Sequence, residues 1–247
     1  MCAGGGVASD DVLITGRGPV TVVALHGIQG TRGAWMPLAQ QLADRCTFVL
    51  PNLPGRGNAM PPADAQACSL DACAEVLHRT LRHYVRGPFV LAGWSMGVSV
   101  ALAYLAGAHQ HSGRPLPAEL LLVSGTPQLN AVQWFEPGPP AALLQAIATR
   151  ERRLALREAA DHRTVAWTWE SIRHTDQRSA LAQVRCRTLV IHGSEDDDCP
   201  LAHGEMLANG IADAELLVLP GAGHGVLTQR TSEIARHLRA RWPAQSA

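Results

Sequence analysis

Phe89-Val-Leu-Ala-Gly-Trp-Ser-Met-Gly-Val98 contains the most informative pattern in the sequence. A short apolar run ends at Ala92 and leads into Gly93-Trp94-Ser95-Met96-Gly97, and small residues with helical spacing follow from Val98 to Ala106. Strand, sharp turn and helix form the context in which a Gly-x-Ser-x-Gly pattern presents a nucleophilic serine. The glycines leave room for the strand and the helix to approach the turn. We therefore predict that Ser95 is a nucleophile.

Short apolar segments alternate with helical patterns along most of the chain. Besides the run at Phe89, the segments of strand length are Val12–Ile14, Val20–Leu25, Thr47–Leu50, Leu120–Val123, Thr188–His192 and Glu215–Leu219. The first two of these are predicted to be strands joined by a tight turn at Gly16-Arg-Gly-Pro19. Because the segments are Val/Leu-rich and lack polar alternation, they indicate a parallel sheet covered on both faces. The predicted fold class is α/β, with a mostly parallel central sheet and helices on both faces.

The alternation stops between 128 and 180. This stretch contains a Gly-Pro-Pro break at 138–140 and two or three predicted helices. A structureless loop of this length is improbable inside a compact domain. We therefore predict a small helical cap over 128–180, inserted into a core domain made of 1–127 and 181–247.

Aromatic residues are concentrated in the predicted cap, and they suggest a substrate pocket. They are Trp134, Phe135, Trp167 and Trp169. The same helix faces can pack inward and wall an apolar acyl pocket. Trp134 and Trp167 are the predicted substrate-binding residues of the cap, and Trp94 is the third. Acidic residues are interleaved among five nearby arginines, so a solvated helix face is favoured there over a docking patch for an acidic carrier protein. These arginines are Arg150, Arg152, Arg153, Arg157 and Arg163.

A serine nucleophile needs a base to take its proton and a group to orient that base. In an open parallel sheet these come from loops at the carboxyl ends of other strands. Two such loops follow Ser95 in the chain: His192-Gly-Ser-Glu-Asp-Asp-Asp-Cys-Pro200 and Pro220-Gly-Ala-Gly-His-Gly225. They supply an acid and then His224, which we predict to be the base.

The chain resembles the α/β-hydrolase superfamily over nearly its whole length. The matching pieces, in order, are His26-Gly27, Asn52-Leu-Pro-Gly-Arg-Gly57, Gly93-Trp-Ser-Met-Gly97, Gly193-Ser-Glu-Asp196 with Pro200, and Gly223-His224. The resemblance implies that the acid is Asp196, three residues after Gly193, with Asp197 and Asp198 as the alternatives. It also implies an oxyanion hole formed by the backbone amides of Ile28 and Met96. His26 is expected to brace the loop that contains Ile28.

The nucleophile motif and the overall size resemble the pimeloyl-acyl-carrier-protein methyl ester esterases. Leu53-Pro-Gly-Arg-Gly57 is similar to type II thioesterases of polyketide pathways. The expected function is a serine hydrolase that cleaves a carboxylic ester, free or carried on acyl carrier protein, through an acyl-enzyme. An acyl-carrier-protein thioesterase and a non-catalytic small-molecule binding protein on the same scaffold are the alternatives.

Composition excludes several other classes of protein. All 21 basic residues are arginine, which rules out Schiff-base chemistry and lysine-based phosphate loops. The six cysteines form no Cys-x-x-Cys pair, so neither a zinc site nor a disulfide framework is expected. The zero formal net charge predicts no nucleic-acid partner, and no apolar run approaches the roughly 18 residues of a membrane span. The N-terminus lacks the pattern of a secretion signal. We expect a cytoplasmic protein with no metal and no cofactor.

Overall fold

A computed structural model describes residues 11–110, 113–136 and 138–242. Within these ranges, seven strands form one sheet in the order β1-β3-β2-β4-β5-β6-β7. The strands are β1 (Val12–Gly16), β2 (Val20–Leu25), β3 (Cys46–Pro51), β4 (Phe89–Trp94), β5 (Glu119–Val123), β6 (Arg187–Gly193) and β7 (Ala214–Leu219). Every neighbouring pair is parallel except β1 with β3. The predicted fold class is confirmed.

The turn between β1 and β2 does not pair the two strands it connects. β3 lies between them, antiparallel to β1 and parallel to β2. Instead, Arg17 N donates to Ala43 O at 2.8 Å and Val20 N donates to Arg45 O at 3.1 Å, so the turn binds the chain leading into β3. Gly16 has φ +88°, and a Cβ there would lie 2.2 Å from the carbonyl oxygen of Cys46. Only glycine suits this close approach.

Helices cover both faces of the sheet, as the apolar strands require. Along β2, Val23 and Leu25 face one apolar cluster, while Val22 and Ala24 face the other. The helices are α1 (Met36–Gln41), α2 (Leu70–Tyr84), α3 (Met96–Gln110), α4 (Pro140–Arg153), α5 (His162–Ile172), α6 (Arg178–Leu181), α7 (Leu201–Gly210), α8 (Val226–Gln229) and α9 (Thr231–Arg241). The first cluster contains residues of α2, α3 and α7, and the second contains residues of α1 and α9. No helix among the described residues is long and apolar enough to cross a membrane.

The segment 128–180 connects β5 to β6, and its apolar side is continuous with the core. It contains a 3-10 turn at Leu129–Ala131, then α4, α5 and most of α6. Trp169 packs against Trp134 and Phe135 with ring centroids 5.4 and 5.7 Å apart. These rings belong to the same apolar cluster as β2 and α3. The predicted interruption of the strand–helix alternation is therefore present as helices packed on one face of the core.

Candidate active site

Ser95 occupies the sharp turn between β4 and α3. Its φ is +56°, a left-handed conformation that costs a non-glycine residue about 1–3 kcal/mol and persists only where the surroundings enforce it. Ser95 N donates to Val123 O at 2.9 Å on the neighbouring strand. A Cβ on Gly93 would lie 2.5 Å from the carbonyl carbon of Gly97, and one on Gly97 would lie 2.4 Å from Leu25 O. Both glycines of the motif are thus required by backbone contacts.

Three strand ends bring Ser95, His224 and Asp196 together. His224 Nε2 lies 2.9 Å from Ser95 Oγ, and His224 Nδ1 lies 3.0 Å from each carboxylate oxygen of Asp196. All three residues are buried. The structure therefore places in one hydrogen-bonded chain the three residues predicted to be nucleophile, base and acid.

Asp196 is held by backbone amides of its own loop as well as by His224. Its Oδ1 accepts hydrogen bonds from Asp198 N at 3.1 Å and Cys199 N at 2.8 Å. Burial alone would raise the pKa of Asp196, but the neighbouring His224 and the hydrogen bond from Cys199 N hold it below its usual value. The carboxylate is therefore ionised at neutral pH and able to stabilise positive charge on the imidazole.

The alternative acids bind arginines of α4. The exposed Asp197 forms an ion pair with Arg153 at 2.8 Å. The buried Asp198 pairs with Arg153 at 2.6 Å and with Arg150, whose Nε and Nη2 lie 3.1 and 3.0 Å from its two oxygens. These carboxylates connect the acid loop to the 128–180 segment.

The loop His26–Gly30 lies against the serine turn. His26 Nδ1 donates to Gly27 O at 2.8 Å, and Leu53 N donates to His26 Nε2 at 3.0 Å. Burial, and then the positive charge of Arg56, lower the pKa of His26 to about 3. A neutral histidine with both nitrogens engaged in this way is a structural brace. The buried Ile28 and Met96 follow His26-Gly27 and Ser95 in the chain, and their role as oxyanion donors stays a prediction.

Trp94 contacts both the serine turn and the histidine loop. Its Nε1 donates to His224 O at 3.1 Å, and its ring lies 5.5 Å from the imidazole of His224. Of the three predicted substrate-binding residues, only Trp94 lines the cavity beside Ser95. It therefore positions the loop of His224 as well as bordering the space where substrate would react.

The cavity beside Ser95 is small, with a volume of about 10 Å³. That is roughly the space one water molecule needs. The residues that line it are Gly27, Ile28, Gln29, Gly30, Trp94, Ser95 and His224 from the core, and Arg150, Leu154 and Leu156 from the 128–180 segment. Ser95 is therefore covered by that segment.

Trp134 and Trp167 do not line this cavity. Trp134 is buried, and its Nε1 donates to Asp198 O at 3.0 Å. Trp167 is partly exposed, with the guanidinium of Arg163 4.4 Å from its ring centroid. Both rings therefore make their contacts away from Ser95, and the side chains of 128–180 that cover the serine are Arg150, Leu154 and Leu156.

Arg150 is the residue that the sequence analysis placed wrongly. It was assigned to a solvated helix face, but it is only 5% exposed. Besides its two contacts with Asp198, it donates from Nη1 to Gln29 Oε1 at 2.7 Å. Gln29 Nε2 in turn donates to Ile147 O at 2.9 Å, so α4 is tied to both the His26–Gly30 loop and the acid loop. The charge pattern gave no signal of this, since Arg152 and Arg153 beside it are exposed.

The comparison with known families agrees with this architecture. Residues 22–237 match the sequence pattern of the "Alpha/beta hydrolase family". The chain belongs to the alpha/beta hydrolase family. Within the part of this hydrolase that the structure describes, no three or more His, Cys, Asp or Glu side chains are grouped to hold a metal ion.

Two relatives carry the same printed description. This hydrolase is 28% identical to a "Pimeloyl-[acyl-carrier protein] methyl ester esterase" of Chromobacterium violaceum, over 90% of this chain and 94% of that one. It is 27% identical to a protein so described from Nitrosomonas europaea, over 88% and 93% of the two chains. The resemblance stated from the motifs is confirmed.

A solved esterase has the same fold. The hydrolase superimposes on the esterase EaEST from Exiguobacterium antarcticum with a TM-score of 0.77, covering 94% of this chain and 95% of that one. The sequence identity is 20%, so the likeness concerns the fold alone.

Proposed function

We propose that this alpha/beta hydrolase is a serine ester hydrolase that works through an acyl-enzyme. The observation that carries the proposal is a continuous series of hydrogen bonds, from Ser95 Oγ to His224 Nε2 at 2.9 Å and from His224 Nδ1 to Asp196 at 3.0 Å. Nucleophile, base and orienting acid in this geometry are the parts that acyl transfer needs. An esterase-type hydrolase is also what the family and its relatives support.

The reaction proceeds in two halves. Ser95 Oγ attacks the ester carbonyl while its proton passes to His224 Nε2, and Asp196 accepts the Nδ1 hydrogen bond and stabilises the imidazolium. The backbone amides of Ile28 and Met96 donate to the oxyanion. When the tetrahedral intermediate collapses, the carbon–oxygen bond to the leaving alcohol breaks and His224 returns the proton to that oxygen. Water then repeats the sequence on the acyl-enzyme and releases the acid.

Residues 128–180 act in this proposal as a cap over a core made of 1–127 and 181–247. Arg150, Leu154 and Leu156 belong to the cap and line the space at Ser95, which supports this division. The cap selects the acyl group, and the strand-end loops do the chemistry.

The proposed substrate class is an ester whose acyl group is free or carried on acyl carrier protein. The support is the description shared by the two relatives, each of which matches about nine-tenths of this chain. A methyl ester of a carrier-bound dicarboxylic acyl chain is the specific form that these descriptions name. A thioester to the carrier is the alternative bond, and the same triad would cleave it.

Replacing Ser95 by Ala tests the proposal. We expect p-nitrophenyl acetate hydrolysis to fall by several orders of magnitude, because the nucleophile is gone and only binding and oxyanion effects remain. Short-chain esters, acyl thioesters and carrier-bound methyl esters should be assayed side by side, with far-UV circular dichroism as the folding control. If the variant keeps more than about a tenth of the wild-type rate, the substitution has raised the activation barrier by less than about 1.4 kcal/mol. The assignment of Ser95 as the nucleophile would then be wrong. A wild-type protein that turns over none of these substrates would instead be the non-catalytic binding protein.

A further inference from the structure

The space beside Ser95 is too small for any acyl group. At about 10 Å³ it holds one water molecule at most. An acyl chain attached to Ser95 must therefore extend into space that lies beyond the present wall of the cavity. A surface groove that shares a wall with the cavity would provide that space.

One groove on the cap meets this condition. It has a volume of about 430 Å³ and lies between α4 and the loop that precedes it. Its lining includes Trp134, Phe135, Gln145, Ala146, Thr149 and Arg150, and we call it the cap groove. Among the residues that the structure describes, Arg150 alone lines both this groove and the cavity at Ser95. Its side chain is the partition between the two spaces.

A larger groove, lined mostly by loops of the core, does not share this partition. It has a volume of about 840 Å³, and Arg32, Asn52, Asn58 and Glu158 are among the residues that line it. None of its lining residues also lines the cavity at Ser95.

The floor of the cap groove is aromatic. The guanidinium of Arg150 lies 5.7 Å from the ring centroid of Trp134 and 5.6 Å from that of Phe135. A guanidinium over an aromatic face occupies the surface that an apolar chain would otherwise contact. Withdrawal of Arg150 would therefore open the passage to Ser95 and uncover apolar rings along it.

The partition can move without leaving a buried charge unpaired. Removing one member of a buried ion pair is strongly destabilising when the other charge is left without a partner. Asp198 also pairs with Arg153 at 2.6 Å, and Arg153 is half-exposed at the mouth of the groove. Asp198 thus keeps a cationic partner when Arg150 withdraws.

We propose that Arg150 is the gate of the active site and that the acyl chain of the substrate lies in the cap groove, against Trp134 and Phe135. The inference rests on the proposed function, since Ser95 must be the residue that receives the acyl group. Under this proposal, Arg150 determines which acyl chain lengths are accepted. The cap groove binds the apolar chain of an acyl ester.

Blocking the groove from its exposed rim tests the proposal without touching the core. Thr149→Trp fills the groove from the solvent side, and the readout is the ratio of kcat/KM for p-nitrophenyl octanoate to that for p-nitrophenyl acetate. Each carbon held in an apolar site is worth on the order of fourfold, so losing several contacts should lower the ratio by about tenfold or more. Leu144→Trp on the exposed side of α4 and Asn58→Trp in the larger groove are the matched controls, and both should leave the ratio unchanged.

Arg150→Met removes the guanidinium that separates the two spaces and keeps an unbranched apolar side chain. We expect it to raise the octanoate-to-acetate ratio, whereas a purely structural role would lower both rates equally. An unchanged ratio in Thr149→Trp, or equal losses on both esters in Arg150→Met, overturns the gate while the serine mechanism stands. If Asn58→Trp alone lowers the ratio, the chain enters by the larger groove and the proposal is wrong. Absence of any Ser95-dependent hydrolysis in the wild-type protein would instead remove the proposed function itself.

Discussion

The strand-end loops and the proposed cap over 128–180 are held in place by different kinds of contact. The backbone fixes Ser95, because Gly93 and Gly97 pack so closely that a Cβ on either would lie within 2.5 Å of another backbone atom. The cap is tied to those loops largely by side chains, with Arg150 bound to Gln29 and Asp198. Backbone contacts cannot be exchanged without unfolding, whereas side-chain contacts can be exchanged by rotation. The difference fits the proposal of a rigid site at the strand ends beneath a segment whose side chains can move aside.

The difference between the two regions gives an order of expected effects. Changes in the strand-end loops should remove the chemistry, changes in the buried side of the cap should cost stability, and changes on the outer side of the cap should cost little. The predictions below test this order, starting with the largest effect.

Asp196→Asn is expected to lower kcat by about 10⁴-fold, because the amide no longer fixes the His224 tautomer or stabilises its positive charge. Asp197→Asn is the matched control one residue away, and its exposed side chain predicts a near-normal rate. Steady-state kinetics on p-nitrophenyl acetate measure both. A large loss for Asp198→Asn with a near-normal rate for Asp196→Asn would show that the acid has been assigned to the wrong residue.

Trp169→Ala is expected to lower the free energy of unfolding by about 3–5 kcal/mol, since it removes a buried ring from the cap's apolar side. Trp167→Ala, two residues earlier on α5, should cost only about 0.5–1 kcal/mol because that ring is partly exposed under Arg163. Urea unfolding of both variants checks the contrast. Equal losses of unfolding free energy in the two variants would contradict the assignment of Trp169 to the buried face of α5 and Trp167 to its exposed face.

His26→Gln should reduce the dependence of stability on pH. With a folded pKa of about 3 and an unfolded value near 6.5, His26 binds a proton only in the unfolded chain between these two values. Its contribution to stability is therefore fully present above pH 6.5 and is lost as the pH falls toward 3, by at most about 1.4 kcal/mol per pH unit.

The measurement for His26 is urea unfolding between pH 7 and pH 5. The variant should show a shallower fall in the free energy of unfolding than the wild-type protein, even if it is less stable throughout. An identical slope in the two proteins would mean that His26 is not held neutral in the fold.

The core was predictable from sequence because its signals are local. β4 and the turn at Ser95 are encoded within ten consecutive residues, and α2 begins after Ser69, whose side chain accepts a hydrogen bond from Ala72 N. The pairing of β1 with β3 was missed, because the turn pattern at Gly16 reports a change of direction and not which strand becomes the neighbour.

The cover of the site was not predictable, because its contacts are remote in sequence. Arg150 meets Asp198 across 48 residues and Gln29 across 121 residues. Arg150 differs from Arg152 and Arg153 only in the direction in which it leaves α4, and charge pattern does not encode that direction. For the same reason the aromatic residues could be assigned to the cap, but not to the wall of one particular cavity.

Trapping the covalent intermediate tests the central claim most directly. Incubation with an alkyl fluorophosphonate, followed by mass spectrometry of the intact protein and fragmentation of the labelled peptide, locates the modified atom. The account predicts a single adduct on Ser95, which disappears in Ser95→Ala and forms far more slowly in Asp196→Asn. An adduct on the neighbouring Ser99, on another residue, or undiminished in Ser95→Ala would contradict it.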